Sequence, residues 1–563
     1  MVLTDEQANA VDLFKSARSL KISAFAGTGK TSTLTAVAKS TSAHGLYLAF
    51  NKSIAAEAAE KFPRTVDCRT THSIAYRSVP SAYRGNTAKL TQALPGNRVS
   101  QILNLDDLVV GNVHLRARAL GFLTAKTIQR FCQSGDDDVL VKHVPITGKL
   151  QELDEPYREE FRRYVSELAH HMWSRMLDPK SEVPLGHDGY LKMWSLSRPK
   201  LNYDFLLLDE AQDTNEAVLS VLRGQDAQLT LVGDRHQQIY EWRGAINAMA
   251  SVETEAEALL TRSFRFGNDL AHAASSILKL LNEPNRLIGD PTKNTRISSD
   301  GRTETILCRT NSGVVGVVIQ ALSDRRMPHV VGGVAELVRM LEDVGRLKAS
   351  LPAECPDFFG FENWDEVVDF SQSEEGESLR TFVSIVQKYG EGDLIKKLMS
   401  VARDEASADL IVSTGHKAKG REWDTVKLNT DFEPRVSKKE PGKTVINQEE
   451  ARLLYVAVTR AKKLLVVPPK LAEKWGQKDT AGDTSVMVSE PAPSKEMQLS
   501  ALPALPSFAK SVRVVRRNEQ VSEPKQTPLA SGVSAIGPSS TKTAHATSEP
   551  GLAKAIWSFL SGK

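Results

Sequence analysis

Short apolar runs punctuate the chain. LKISAF (20–25), GLYLAF (45–50), FLLLDE (205–210) and LTLVGD (229–234) each end at a turn containing Gly, Asn or Asp, and helix-like patterns follow them. Strands that are apolar on both faces are covered on both sides, and their alternation with helices predicts an α/β unit built on a parallel sheet. A second series, ETILCRT (304–310), ADLIVST (408–414), DTVKLN (424–429) and KLLVVP (463–468), predicts another such unit. Polar, helix-rich stretches at 86–165 and 334–400 read as insertions. The expected organisation is therefore 1–85 with 166–262 as the first α/β domain and 86–165 inserted in it. The second domain is 263–333 with 401–470, and 334–400 is its shorter insert. No repeat of fixed period is present.

The pattern fails after about residue 470. TSVMVSEPAPSKEMQLSALPALPSF and SGVSAIGPSSTKTAHATSEP are rich in Ser, Pro, Ala and Thr. Such segments bury too little apolar surface to offset chain ordering, so 471–563 is expected to be a disordered tail. Its end, GLAKAIWSFLSGK, places Leu552, Ala555, Ile556, Phe559 and Leu560 on one helical face. That is a partner-binding helix or simply the end of a tail.

Composition narrows the class. A formal net charge of +3 on 563 residues leaves any nucleic-acid contact to a local groove. The four cysteines, Cys68, Cys132, Cys308 and Cys355, lack C-x-x-C spacing and suggest neither a metal cluster nor a disulfide framework. The first residues carry no signal-peptide pattern and no run of about 18 apolar residues appears, so an intracellular protein without a membrane span is expected.

Two stretches carry chemistry. AFAGTGKT (24–31) follows one strand-like run and precedes the helix-like TSTLTAVAKS. Gly27 and Gly29 supply the bends of a phosphate loop, Lys30 a cation for the terminal phosphates, and Thr31 a hydroxyl for magnesium. Ala24 stands where the usual pattern has glycine, which is tolerable if its φ is negative. LLLDEAQD (206–213) delivers two adjacent carboxylates at the end of a buried strand. Asp209 is placed to hold magnesium, and Glu210 to orient and deprotonate an attacking water. Alone, such a pair is as readily a helix cap.

AFAGTGKT together with DEAQD resembles the superfamily 1 helicases of the UvrD/Rep type. LTDEQANAV, LAFNKSIAAEA, TTHSIAY, VGDRHQQIYEWRGA, LTRSFRFG, STGHKAKGREWDTV and EEARLLYVAVTRAKK match that family's other motifs in order. The likeness covers about 1–470. LYLAFNKSIAAEAAEKFP, HDGYLKMWSLSRPKL, GDRHQQIYEWRGAINA and LTRSFRFG bring it nearest to the helicase part of the F-box DNA helicases. The loop begins within 30 residues of the first, so no F-box is expected and ubiquitin-ligase function is not carried over.

The resemblance implies two RecA-like domains with ATP and Mg2+ between them. Residues Ala26, Gly27, Thr28, Gly29, Lys30, Thr31 and Ser32 form the loop, with Thr31 and Asp209 on the metal. It implies Gln7 as adenine reader, Phe264 as adenine stack, Glu422 on the ribose, Gln237 as sensor of the γ-phosphate, and Arg243 as another phosphate-facing arginine. Arg265 and Arg460 match the arginine fingers that stabilise charge on the transferred phosphoryl group. Ser32 stands where many relatives carry arginine. Phe50, Asn51, Thr70, His72, Tyr240, Trp242 and His416 match positions that touch single-stranded DNA, although Tyr240 reads equally as a core aromatic.

The implied activity is ATP-driven 3′–5′ movement on single-stranded, tailed or forked DNA, in repair or recombination. The alternatives are a translocase that strips recombinase filaments, or an ATP-switched scaffold whose tail recruits partners. For such a tail, QLSALP (498–503) faintly resembles a clamp-binding peptide, and RVVRR (513–517) is either a DNA contact or a solvated basic run. The expected location is the cytoplasm of a prokaryote or phage host, or a eukaryotic nucleus.

Overall fold

The computed structural model describes residues 2–476 except 84, 242–243, 352, 354, 356–357, 359–360, 362, 373–376, 434 and 437–443, together with 486–489 and 512–515. Two compact units result, one of 1–74 and 199–495, the other of 75–198 and 496–563.

The first unit contains both predicted sheets. In one, strands follow the order Val66–Thr70, Gly45–Ala49, Phe205–Leu208, Gln228–Gly233, Ser19–Ala24, Ala256–Leu260. Every pairing is parallel. Its central strand Phe205–Leu208 is buried at each position, as an apolar run covered by helices on both faces requires. Helix Asp5–Ser16 precedes Ser19–Ala24, helices Lys30–Lys39 and Lys52–Lys61 follow Ser19–Ala24 and Gly45–Ala49, and Phe14 meets Phe205 edge to face at 5.5 Å.

The second sheet runs Pro328–Val330, Leu410–Thr414, Thr305–Cys308, Trp423–Leu428, Ala461–Val466, Arg296–Ser298, again wholly parallel. Helices from Ala335 to Met399 share a core with the helix Asn311–Ser323: Leu341, Val344, Phe358 and Phe382 pack with Val314 and Val318. The expected α/β class, with two parallel sheets, is observed.

The other unit is helical, with Ala117–Gln133 and Glu155–Leu177 as its long helices. It extends beyond the stretch 86–165 expected from sequence. Glu155–Leu177 runs unbroken through residue 165, and Lys192 joins from further along by donating to the carbonyls of Ser134 and Asp136. A strand Asp107–Val110 pairs with Val113–Leu115 and with Val512–Val515. In the region expected to be disordered, Val486–Ser489 also forms a strand, paired with Thr444–Asn447. The terminal helix face and the QLSALP stretch lie outside the described residues, as do the last two residues of RVVRR. No helix among the described residues is long and apolar enough to cross a membrane.

Candidate functional site

Parallel sheets gather their loops at the carboxyl ends of the strands. In the first sheet those ends deliver the loop after Ala24, Phe50 after Ala49, Asp209 after Leu208 and Asp234 after Gly233. Ala24 is the last residue of its strand, paired beside Leu260, and needs no glycine. The bends fall on Gly27 at φ 76° and Gly29 at φ 79°, the latter opening the helix Lys30–Lys39. A side chain at Gly27 would stand 2.5 Å from Ser263 Oγ and 2.8 Å from Arg265 Cβ. Glycine is thus needed there for its backbone angle and for close approach. The Gly27 carbonyl accepts from the Phe264 N–H at 2.8 Å.

Lys30 Nζ is ion-paired with Glu210 Oε1. Burial alone would lower the lysine's pKa, but Glu210, Asp209 and Asp234 raise it, so the ammonium is locked in its charged form. Glu210 holds a left-handed backbone at φ 50°, a strained conformation for a non-glycine residue. Burial opposes its charge, yet Lys30 and Lys419 keep it a carboxylate, and Gln212 Nε2 donates to Oε2 at 2.5 Å. Asp209 is pushed the other way, by burial and by Glu210 beside it, and Tyr47 donates its hydroxyl to Oδ2 at 2.6 Å.

The second domain supplies the opposite wall. Arg460 is 2% exposed. Its Nε donates to the Val456 carbonyl at 2.8 Å, and Nη2 reaches Thr459 Oγ1 at 3.0 Å and Gln237 Oε1 at 3.4 Å. Burial and the neighbouring Arg265 lower its pKa, but a guanidinium stays charged at neutral pH. Arg265 donates Nε to Glu422 Oε2 at 2.6 Å and Nη1 to the Thr459 carbonyl at 3.0 Å. Gln237 Nε2 in turn donates to Asp234 Oδ2 at 2.8 Å. Lys30, Asp209, Glu210, Gln237, Arg265, Arg460 and Glu422 therefore belong to one connected cluster.

The remaining nucleotide positions border it. Phe264, 42% exposed, lies against Gly29, where an added Cβ would be 3.3 Å from its ring. Gln7 is buried on the same glycine; its Nε2 donates to Thr33 Oγ1 at 3.2 Å and its Oε1 accepts from the Thr4 N–H. Ala26 and Thr28 are buried in the loop, and Thr31 and Ser32 are half-buried at the helix start. Arg243 lies outside the described residues, as does Trp242.

Among the DNA positions, Phe50 is 47% exposed and stacks on Tyr240, with centroids 6.0 Å apart and planes 12° apart. Tyr240 Oη donates to the His416 carbonyl at 3.0 Å. Burial lowers the His416 pKa, with Arg309 adding to it, which favours the neutral ring. Asn51 caps the helix Lys52–Lys61, its Oδ1 accepting from Ile54 N at 2.9 Å. Thr70 accepts from Ser73 N at 3.1 Å, and His72 is exposed at the second position of the helix Thr71–Arg77.

Sequence reading missed four groups in the cluster. Tyr455, fully buried, accepts from the Ala26 N–H at 3.1 Å and donates to Asp234 Oδ2 at 2.9 Å, tying loop to second domain. Tyr47 and Tyr455 sit in apolar runs and read as core. Asp234 ends a buried strand, the same signal that exposed Asp209. Lys419, 6% exposed at its side chain, pairs with Asp213 and lies 3.8 Å from Glu210 Oε2.

Residues 3–256 match the family model for the UvrD/REP helicase N-terminal domain, and 361–469 that for the UvrD-like helicase C-terminal domain. F-box DNA helicase 1 of Gallus gallus is 32% identical over 492 residues, covering 80% of this chain and 47% of its own. F-box DNA helicase protein 1 of Schizosaccharomyces pombe is 30% identical over 512 residues, covering 83% and 57%. ATP-dependent DNA helicase Rep of Salmonella typhimurium is 52% identical over 44 residues, 7% of this chain and 6% of its own. The chain thus spans about half the length of the F-box relatives it matches.

Proposed function

The chain belongs to the UvrD/Rep family of helicases, and from that premise we propose that it is an ATP-driven motor moving 3′–5′ on single-stranded DNA. The observation that carries this reading is the cluster itself. One loop and two carboxylates of the first sheet converge with two arginines of the second domain, linked through Gln237 and Lys419.

In this reading the N–H groups of the loop and Lys30 bind the phosphates. Lys30 then exchanges its partner Glu210 for phosphate oxygens, which frees the Glu210 carboxylate to orient a water and take its proton. Arg460 and Arg265 stabilise charge on the transferred group from the second domain. Hydrolysis therefore requires the two sheets to stand together, and their separation stops it. Phe264 stacks on the base beside Gln7, and Glu422 takes the ribose hydroxyls in exchange for Arg265.

Magnesium fits the residues present. Asp209, steadied by Tyr47, and the Thr31 hydroxyl are hard oxygen donors, and no cluster of three or more His, Cys, Asp or Glu side chains forms a closed cage among the described residues. When bound, the ion neutralises phosphate oxygens during transfer.

On the DNA side, the exposed Phe50 ring on Tyr240 is a stacking platform for unpaired bases, and tailed or forked duplexes in repair or recombination are the proposed substrates. The test measures ATP hydrolysis with and without single-stranded DNA, and unwinding of a 3′-tailed against a 5′-tailed duplex. Lys30→Ala is expected to abolish hydrolysis while single-strand binding persists. Hydrolysis indifferent to single-stranded DNA in the unaltered protein would sink the reading.

A further inference from the structure

Strand Asp107–Val110 of the helical unit is held in place by its own neighbours. Through a turn in which Gly111 has φ 56°, it pairs antiparallel with Val113–Leu115. Asp107 Oδ1 accepts the Ala117 N–H at 2.8 Å, at the start of the helix Ala117–Gln133. A Cβ added at Gly111 would lie 3.2 Å from Leu153 Cδ2 and 3.7 Å from the Tyr157 ring, so the turn rests against the start of Glu155–Leu177. The second edge of Asp107–Val110 is covered from far along the chain. Val512–Val515 pairs there antiparallel, Val512 with Val110, Arg513 with Val109, Val514 with Leu108 and Val515 with Asp107. That strand is four residues long, and among the described residues it has no second neighbour in the sheet.

We propose that the edge of Asp107–Val110 is a docking site for an extended peptide, and that the chain's own Val512–Val515 is its resident, exchangeable ligand. Nothing in this assignment depends on the motor reading, and it gives RVVRR a role that is neither a DNA contact nor an idle basic run. Recognition is by strand addition, in which main-chain hydrogen bonds supply affinity and alternate positions supply specificity. The acceptor is preorganised by Asp107, Gly111 and Val113–Leu115, so docking orders little on that side. The ligand suits the register. Three of its four residues are valine, which favours strands, and Val512 and Val514 stand opposite Val110 and Leu108, both buried. Charge is complementary as well: Asp106 and Asp107 stand where the acceptor strand begins, and Arg516 and Arg517 follow Val515 in the sequence. An edge left open invites pairing with other chains, and a tethered strand forestalls that. A ladder this short, with one neighbour, is weak enough to be exchanged.

The experiment uses the full chain and a labelled peptide of residues 509–518, AKSVRVVRRN. In an antiparallel pair, successive residues turn alternately toward and away from the neighbouring strand. Val514→Pro/Val515→Pro therefore removes a ladder donor whichever of the two faces the acceptor. Hydrogen exchange at alternate amides of Asp107–Val110 is expected to be faster in that variant than in the unaltered chain. The peptide is expected to bind the variant at least about tenfold more tightly than the unaltered chain, where the tethered strand competes at high effective concentration. A peptide carrying the same two prolines is expected not to bind. Circular dichroism establishes that both chains are folded, and sedimentation is expected to show both as monomers.

Four results overturn the proposal. They are unchanged exchange at Asp107–Val110 in the variant, equal peptide binding by the two chains (no binding to either included), and equal binding of the two peptides. The fourth is a dimer of the unaltered chain that the prolines dissociate, which gives the edge to a second copy's strand. None of them bears on ATP hydrolysis, so each is distinct from a failure of the motor reading.

Discussion

At the scale of single residues, the chemistry that announced itself was the chemistry written contiguously. Gly27, Gly29, Lys30 and Thr31 lie within five positions, and Asp209 and Glu210 are neighbours, so a short window holds their signal. Tyr47 and Tyr455 escaped because a hydroxyl at the tip of a buried ring looks, in sequence, like one more hydrophobic residue. Tyr47→Phe tests how much that hydroxyl matters. It leaves the ring packed and removes the donor at 2.6 Å from Asp209. A hydrogen bond to a charged group is worth about 1.5–3 kcal/mol, so kcat should fall at least about tenfold, with a higher magnesium requirement and little change in KM. A titration of hydrolysis against magnesium checks it; a wild-type metal curve counts against the positioning role. Gly27→Ala asks the complementary question of the loop. Its new methyl meets Ser263 and Arg265 at a positive φ, and the expected result is lost nucleotide binding with about 1–3 kcal/mol lower stability, read by fluorescent-nucleotide titration and thermal melting.

At the scale of elements, the eight strands found by pattern were the four interior ones of each sheet. The four edges, Val66–Thr70, Ala256–Leu260, Pro328–Val330 and Arg296–Ser298, were not found. An edge strand is covered less completely and carries polar residues, as VDCRT does, so it lacks the apolar run that marks its neighbours. Caps are similarly silent until seen. Asn51, read as a DNA contact, makes a helix N-cap, and the two roles separate by mutation. Asn51→Asp preserves the cap and should leave the melting temperature near wild type, whereas Asn51→Ala should cost about 1 kcal/mol. If Asn51 also contacts the strand, the aspartate variant binds oligo-dT more weakly and the effect grows at low salt.

The turn Arg235–Gln237 has an anchor of its own. Arg235 Nη2 donates to Glu283 Oε2 at 2.6 Å, and His236 Nε2 lies 2.7 Å from the same oxygen. Burial would raise the Glu283 pKa, but the hydrogen bonds from His236, the Asn285 N–H and Arg235 hold it down to about 2. A carboxylate with a depressed folded pKa stabilises fully above its ordinary value of 4.5 and loses that contribution as pH falls toward 2. Glu283→Gln should therefore melt a few degrees lower between pH 5.5 and about 8, with the gap narrowing below about pH 4.5. Melting curves across that range decide it; a gap that widens on acidification contradicts the assignment.

At the scale of the whole molecule, Phe25 and Ala26 of the loop pack into the core of the second sheet with Tyr455, Val456 and Val458, while the strands of the first sheet have a core of their own around Leu20, Ile22, Tyr47 and Phe205. The two parallel sheets were legible because they follow from strand–loop–helix order. The extent of the helical unit was not, since Glu155–Leu177 shows no break where composition changes. The strand Val486–Ser489 was equally hidden, because its partner Thr444–Asn447 lies about 40 residues back and nothing local announces the pairing. That strand matters to the motor's wall. Thr444–Asn447 leads directly into the helix Gln448–Val458, which Asn447 caps and which carries Tyr455 just ahead of Arg460. A chain ending at 495 keeps the pairing and a chain ending at 476 loses it, while both retain every residue of the cluster. The shorter chain should melt lower, because an edge is left unpaired beside that helix. Its DNA-stimulated hydrolysis, measured well below its melting temperature, should match that of the chain ending at 495. Loss of stimulation in the chain ending at 495 would assign the coupling to the last residues and favour a scaffold reading over a self-sufficient motor.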